Sequence, residues 1–402
     1  FDDLAINPNQ PSMGAYFTSP SAVNDAVMTM YGYMSTQRCL GASGSKTTII
    51  RSDEASSNSD YGKPGMFGAD LNASYYTIEQ PYTLMYTTAS QASYIIETAP
   101  SVDFSGNEEL RNAYMGEAYF WRAFAHYYLL INFRNISPIR QMPRNGDDYV
   151  RPLEKPAAVW NFIQEDLAHA KELLPVKGYW DSKNAGRVTK ASAAALLGKA
   201  YLYRSGIEQY YGEDKTTFYS EAAKEFGDVI DGKYGTYDLT KNYADNFDVA
   251  HENNEESILE FQFLGDVDNA GFNPGLATSG LAFDSRGLML PGAGVGYEGV
   301  VHNWLYNAFV NSVDKDGYTD IRMFSTMIFN DLDASIHLRN DAGGNPVRLE
   351  GPGGYKWEEL YPAKNGKEGF ATVSNPLAHS FKAGILLQSH RQRLRSRYKK
   401  RD

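Results

Sequence analysis

The sequence predicts a mostly α protein in which tetratricopeptide-like helix pairs form a scaffold, accompanied by a loop-rich half with few short strands. Three observations carry this expectation. Four segments between residues 107 and 232 repeat apolar side chains at helical spacing and are bounded by capping residues or prolines. Two stretches, 41–76 and 265–299, are dense in Gly, Ser, Asn and Tyr and far exceed a typical connection. Strand-like alternation is read in one short run, 257–264.

The first predicted helix, 107–133 (NEELRNAYMGEAYFWRAFAHYYLLINF), contains no Pro, opens with acidic residues, and is apolar nearly all round from Tyr119 to Ile131. Such a helix is buried on most sides. Gly116, Ala118, Ala123 and Ala125 leave room for neighbouring helices to approach beside its large rings, and Trp121 is assigned to the core. In the second helix Trp160, Ile163, Leu167, Ala170 and Leu174 share one face, with Pro156 near the start and Pro175 as the stop. The third, 189–204 (TKASAAALLGKAYLYR), is Ala-rich and takes Thr189 as its N-cap. The fourth, 217–231, aligns Phe218, Ala222, Phe226 and Val229 or Ile230. Alternating small and large apolar residues on paired helices resemble tetratricopeptide units, without a clean period of about 34 residues. In 257–264 (SILEFQFL), Leu259, Phe261 and Phe263 alternate with Glu260 and Gln262, as in a strand buried on one face. Trp304 stands at the start of a further helix.

Composition narrows the function classes. The 402 residues, 42% hydrophobic and 22% charged, suffice for a large core, and no uninterrupted apolar stretch approaches the roughly 18 residues of a membrane span. A net charge of −11 argues against nucleic acid, which needs a face rich in Lys and Arg. The charge is uneven: residues 383–402 carry seven Lys or Arg against Asp402, so the remainder is more acidic than the whole. We read 1–382 as a single domain, with the scaffold mainly at 107–232. Residues 383–402 are read as an atypical basic tail, truncated or poorly ordered and dispensable. One cysteine, Cys39, excludes an intrachain disulfide or a multi-cysteine metal site and reads as an ordinary buried thiol. No secretory signal pattern begins at Phe1.

Motifs for chemistry are weak. Residues 294–299 fit G-x-G-x-x-G, but Pro291-Gly292 occupies the place where the required buried strand ends. GASGSKT at 41–47 lacks the adjacent Gly-Lys of a phosphate loop. A calcium-loop-like start at Asp266 has Ala270 at a ligand position and Ala277 where a bidentate Glu is needed. The seven His are scattered and none falls in H-E-x-x-H, so neither a cofactor nor a metal is expected. Glu117 and Arg122, charges on an apolar helix, read as paired structural groups. A glycosidase needs only two carboxylates at the right separation, and nothing marks such a pair.

Several segments resemble the SusD/RagB family of nutrient-binding outer-membrane lipoproteins: GEAYFWRAFAHYYLL at 116–130, VWNFIQEDLAHAKELLP at 159–175, GRVTKASAAALLGKAYLYR at 186–204 and NNEESILEFQF at 253–263. Weaker similarity lies in AYFTSPSAVNDAVMTMYGYM at 15–34, in SDE at 52–54 and in TDIRMFSTMI at 319–328, where Ile321 replaces the family's Pro. The resemblance implies a SusD-like α/α scaffold with a loop-rich half, noncatalytic oligosaccharide binding at the cell surface, and a SusC-like TonB-dependent transporter as partner. It also implies an N-terminal lipid anchor in the outer membrane, whose cysteine is not part of this sequence, and a further C-terminal helical pair.

Sugar rings stack their apolar C–H faces on aromatic side chains while their hydroxyls need polar partners. With 29 Tyr, 20 Phe and 5 Trp, loop position is the filter applied. It selects Tyr61, Tyr75 and Tyr76 with Asp53 and Asn72, Tyr179 and Trp180 with Asp181 and Asn184, and Tyr297. The alternatives are a tetratricopeptide-type module for protein or peptide and a glycoside hydrolase.

Overall fold

The computed structural model describes residues 17–36, 38–40, 53, 55–56, 73–144, 148, 150–247, 251–262, 300–320 and 322–323. Ser19 begins the first element: its hydroxyl accepts from the Ala22 N–H at 3.3 Å, and Pro20 follows at the first helical position of α1 (Pro20–Ser35). Val23, Val27, Met30, Tyr31 and Met34 recur on its buried side. α2 (Tyr76–Thr98) follows, then α3 (Glu108–Phe133), which Asn107 caps by accepting from the Leu110 N–H at 3.1 Å. α4 (Pro156–Leu173), α5 (Lys190–Tyr211) and α6 (Tyr219–Ile230) complete the scaffold, and α7 (Asn303–Val310) stands apart in sequence.

The four helices expected from spacing are therefore present with nearly the expected bounds. α5 runs past Arg204 until Gly212, whose φ of 70° ends it in the left-handed region. At its other end the Thr189 N–H donates to the Ser192 hydroxyl at 3.1 Å. From α2 to α6 each helix packs against the next, and α1 lies against α2 and α3. Their shared core holds Trp121, Trp160, Phe120 and Cys39, all fully buried. Burial pushes the Cys39 thiol far above its ordinary pKa, so it stays protonated and inert.

The strand expected at 257–264 does not form over its described part, 257–262. Leu259 and Glu260, which alternation places on opposite faces, are both buried. Local hydrogen bonds explain this: the Glu260 carboxylate accepts from the Asn253 N–H at 3.1 Å and the Ser257 hydroxyl at 2.7 Å, folding the chain on itself. The strand pairing among the described residues is a short antiparallel ladder between β1 (Ala55–Ser56) and β2 (Val300–Val301).

Two close approaches depend on the small residues. A Cβ on Gly116 would sit 2.9 Å from the backbone nitrogen and Cγ of Leu174, where α4 ends against α3. On Gly198 it would meet the Phe226 ring at 2.9 Å, across the α5–α6 contact. In the same core His126 accepts at Nε2 from the Ile139 N–H (2.9 Å) and donates from Nδ1 to the Arg122 carbonyl (2.7 Å). Burial holds its pKa down from 6.5 to about 3, with Arg122, Arg140 and Arg151 adding to the effect against the pull of the Arg122 carbonyl.

Gly116→Ala gains helix propensity of about 1 kcal/mol, but the contact is with backbone that cannot step aside, so a net loss of about 1–3 kcal/mol is expected in chemical denaturation. An unchanged midpoint would refute the close approach. For His126 the unfolded chain takes up a proton near 6.5 and the folded chain only near 3, so its contribution is complete above the first value and lost as pH falls toward the second. Imidazole NMR of the folded protein should find His126 neutral at about pH 5; a midpoint at the ordinary value for histidine contradicts its buried placement.

Candidate functional site

Four of the predicted site residues, Tyr179, Trp180, Asp181 and Asn184, lie in the segment 176–188, and what fixes it lies beneath. Glu117 sits midway along α3 at 0% exposure. Arg187 meets it as a fork, Nε to Oε1 at 3.0 Å and Nη2 to Oε2 at 2.6 Å. The remaining nitrogen, Nη1, donates to Asn24 Oδ1 on α1 at 2.8 Å and to Asn184 Oδ1 at 3.0 Å. The Tyr31 hydroxyl donates to Glu117 Oε1 at 2.7 Å and accepts from the Val188 N–H at 2.8 Å. Burial pushes the Glu117 carboxyl up, opposed by the hydrogen bonds and charge of Arg187 and by the Tyr31 hydroxyl. Burial, reinforced by the adjacent carboxylate, holds Tyr31 well above its ordinary pKa.

Arg122 makes a separate pair on the same helix: Nε and Nη2 reach the two oxygens of Asp166 at 2.8 and 2.7 Å, and Nη1 reaches Ser93 Oγ and the Arg140 carbonyl. Glu117 and Arg122 are thus paired structural groups, as expected, each with its own partner.

On top of Arg187 lies the Trp180 ring, 4.3 Å from the guanidinium carbon, and its indole N–H donates to the Val188 carbonyl at 3.2 Å. Tyr179 meets Trp180 edge-on at 4.9 Å. Both rings are half-buried, and Trp180 packs on the main core. Asp181 Oδ1 accepts from the backbone N–H (3.1 Å) and side-chain amide (2.9 Å) of Asn184, closing the short turn Ser182–Asn184. That side-chain bond, with the turn's backbone donors, holds the exposed Asp181 carboxyl below its ordinary pKa.

The structure therefore brings Tyr179, Trp180, Asp181 and Asn184 together, but engages Trp180, Asp181 and Asn184 in holding the segment's own shape. Tyr179 is the member whose ring has the fewest such duties. Elsewhere, Tyr75 is the half-buried residue preceding α2, Tyr76 is the first residue of that helix, and Asp53 is exposed. Tyr61, Asn72 and Tyr297 lie outside the described residues. The Trp304 indole N–H donates to the Asp53 carbonyl, joining the start of α7 to the segment that carries β1. Trp304 is 45% exposed and Tyr210 and Tyr211 are 85% and 57% exposed. Trp304 is set aside because it starts a helix, whereas Tyr210 and Tyr211, beyond the expected end of the third helix at Arg204, are not singled out; their available signal is an aromatic doublet just before a helix-ending Gly.

Residues 6–202 match a SusD-like family model described as starch-binding, associating with the outer membrane. A SusD-like protein of Bacteroides ovatus is 29% identical over 180 residues, covering 44% of this chain and 32% of the relative. The crystal structure of a SusD superfamily protein from Bacteroides vulgatus superposes with a TM-score of 0.60 at 22% identity, over 77% of this chain and 61% of that one. A laminarin-binding SusD-like protein gives a TM-score of 0.51 at 24% identity, over 61% of this chain and 51% of that one. The match thus spans about a third of the curated relative's length.

Proposed function

The chain belongs to the SusD-like family, and from that membership we propose that it captures an oligosaccharide without transforming it and passes it to a SusC-like TonB-dependent transporter. The single observation that carries this reading is the family match, which covers α1 to α4 and most of the start of α5. A laminarin-binding protein of the same fold supports a glycan as ligand. Placement at the outer-membrane surface through an N-terminal lipid anchor belongs to the same proposal.

The two forked carboxylates of the scaffold serve structure and give no support to a hydrolase. Glu117 and Asp166, carboxylates buried in the scaffold, are each locked into an Arg fork and have no access to a scissile bond. The proposed contacts are Tyr61, Tyr75, Tyr76, Tyr179 and Tyr297, with Asp53 and Asn72 as polar partners. Trp180, which meets the Tyr179 ring edge-on, and Asp181 and Asn184, which close the turn beside it, hold the segment that carries Tyr179.

A glycan array followed by calorimetry and a reducing-end assay tests the reading. Saturable glycan binding with no release of reducing ends is expected. Sustained release would make the chain a hydrolase, and binding only to peptides would favour the interaction module. Within the site, Tyr179→Ala is expected to weaken glycan binding by about 1–3 kcal/mol while the circular dichroism spectrum stays that of the parent. Unchanged affinity in that folded variant removes Tyr179 from the site.

A further inference from the structure

At the far end of the scaffold, the ends of α3 and α5 converge on a second group of aromatic and charged side chains. α3 ends at Arg134, which has φ 60° and ψ −64°, and the Asn135 N–H donates to the Phe133 carbonyl at 2.7 Å. This is a tight three-residue turn in a region that residues other than glycine rarely occupy. It aims the guanidinium at the end of α5, where Nη2 meets Glu208 Oε2 at 3.2 Å and Glu213 Oε2 at 2.9 Å. Glu208 is buried and accepts at its other oxygen from the Trp160 indole N–H at 3.0 Å, so the cluster is tied to the core.

The α5 side is equally fixed. Gly212 adopts φ 70°, its N–H reaching the Gln209 carbonyl at 3.0 Å while the Glu213 N–H reaches the Glu208 carbonyl at 3.0 Å. This double closure sets the Glu213 carboxylate beside Arg134. Arg134 lies 3.7 Å over the Tyr211 ring, and Tyr210 stands perpendicular to that ring at 5.2 Å. Both rings are largely exposed, Tyr210 at 85%.

Large aromatic side chains scattered singly on a surface need no explanation. Here two adjacent rings are held at right angles, one of them backed by a guanidinium, with a half-exposed carboxylate alongside and a strained turn maintaining the arrangement. A pyranose presents what such a group accepts: a C–H face for an exposed ring and vicinal hydroxyls for a carboxylate and a guanidinium. We infer that Tyr210, Tyr211, Arg134 and Glu213 form a second carbohydrate-binding site on the helical scaffold, separate from the loop-borne contacts around Tyr179. The inference rests on the glycan-binding reading above.

The test uses the full chain on an oligosaccharide array that includes starch- and laminarin-derived oligosaccharides, with calorimetry on the glycan bound best by the parent. Tyr210→Ala, with Tyr210→Trp as the conservative counterpart, is expected to remain folded because the ring is exposed. The Ala variant should lower either the stoichiometry, from two sites to one, or the affinity, by about tenfold; the Trp variant should retain both. Tyr179→Ala should leave this second component in place. A parent that binds no glycan overturns the glycan-binding reading and this inference together. A parent that binds glycan with one site, undiminished by Tyr210→Ala, overturns the second site alone.

Discussion

The fork between Arg187 and Glu117 is the constraint on which the described structure turns. A carboxylate fully buried within α3 would be severely penalised alone, and leaving one unpaired costs about 3–5 kcal/mol. Its partner Arg187 comes from just before α5, and its second ligand, Tyr31, from α1. One buried charge therefore fixes three elements distant in sequence, and the Trp180 ring seals the guanidinium from above. Arg122 and Asp166 repeat the device between α3 and α4, with Ser93 of α2 as a further partner. The helix stack is hydrophobic in bulk, but its register is set by these forks, since a ridge of Ala and Leu slides more easily than a bidentate pair.

This division of labour bears on where a ligand can bind. Side chains that hold the scaffold are saturated: Asn184 bridges Asp181 and Arg187, and Trp180 uses both its face and its N–H. On the proposed glycan-binding reading, recognition falls to rings at the margins of these supports, such as Tyr179, and to groups at the helix ends. Rigid backing for a modest number of exposed aromatics is what stacking against sugar rings asks for, because little conformational freedom is then lost on binding.

The helices were legible where apolar spacing was strong and punctuation was clear. Pro156 and Pro175 bracket α4, and Thr189 marks the start of α5, whose end at Gly212 lies well past the Arg204 expected from the Ala-rich run. α1 carries a cap and proline as clear as any, but its apolar face is made of Met, Tyr and Val among polar residues. α2 was hidden more deeply: it is rich in Thr, Tyr and Ser, lacks a side-chain cap and contains Pro81, all of which read locally as loop. The run at 257–262 failed in the other direction, because its alternation is real but Glu260 turns inward to bond Asn253 and Ser257. For the candidate site, sequence gave residue types and loop positions. It did not give which polar atoms were already engaged, and that is what separates Tyr179 from Asp181 and Asn184.

The most direct test of this account is amide hydrogen exchange in the parent and in Glu117→Gln. The substitution keeps the shape of the side chain but removes the charge that Arg187 and Tyr31 share. If the fork holds the segment, protection should fall at Val188, whose N–H is bound by Tyr31, and through 179–187, while the α5–α6 pair keeps its protection. Unchanged protection at Val188 and across 179–187 in the folded variant would contradict it.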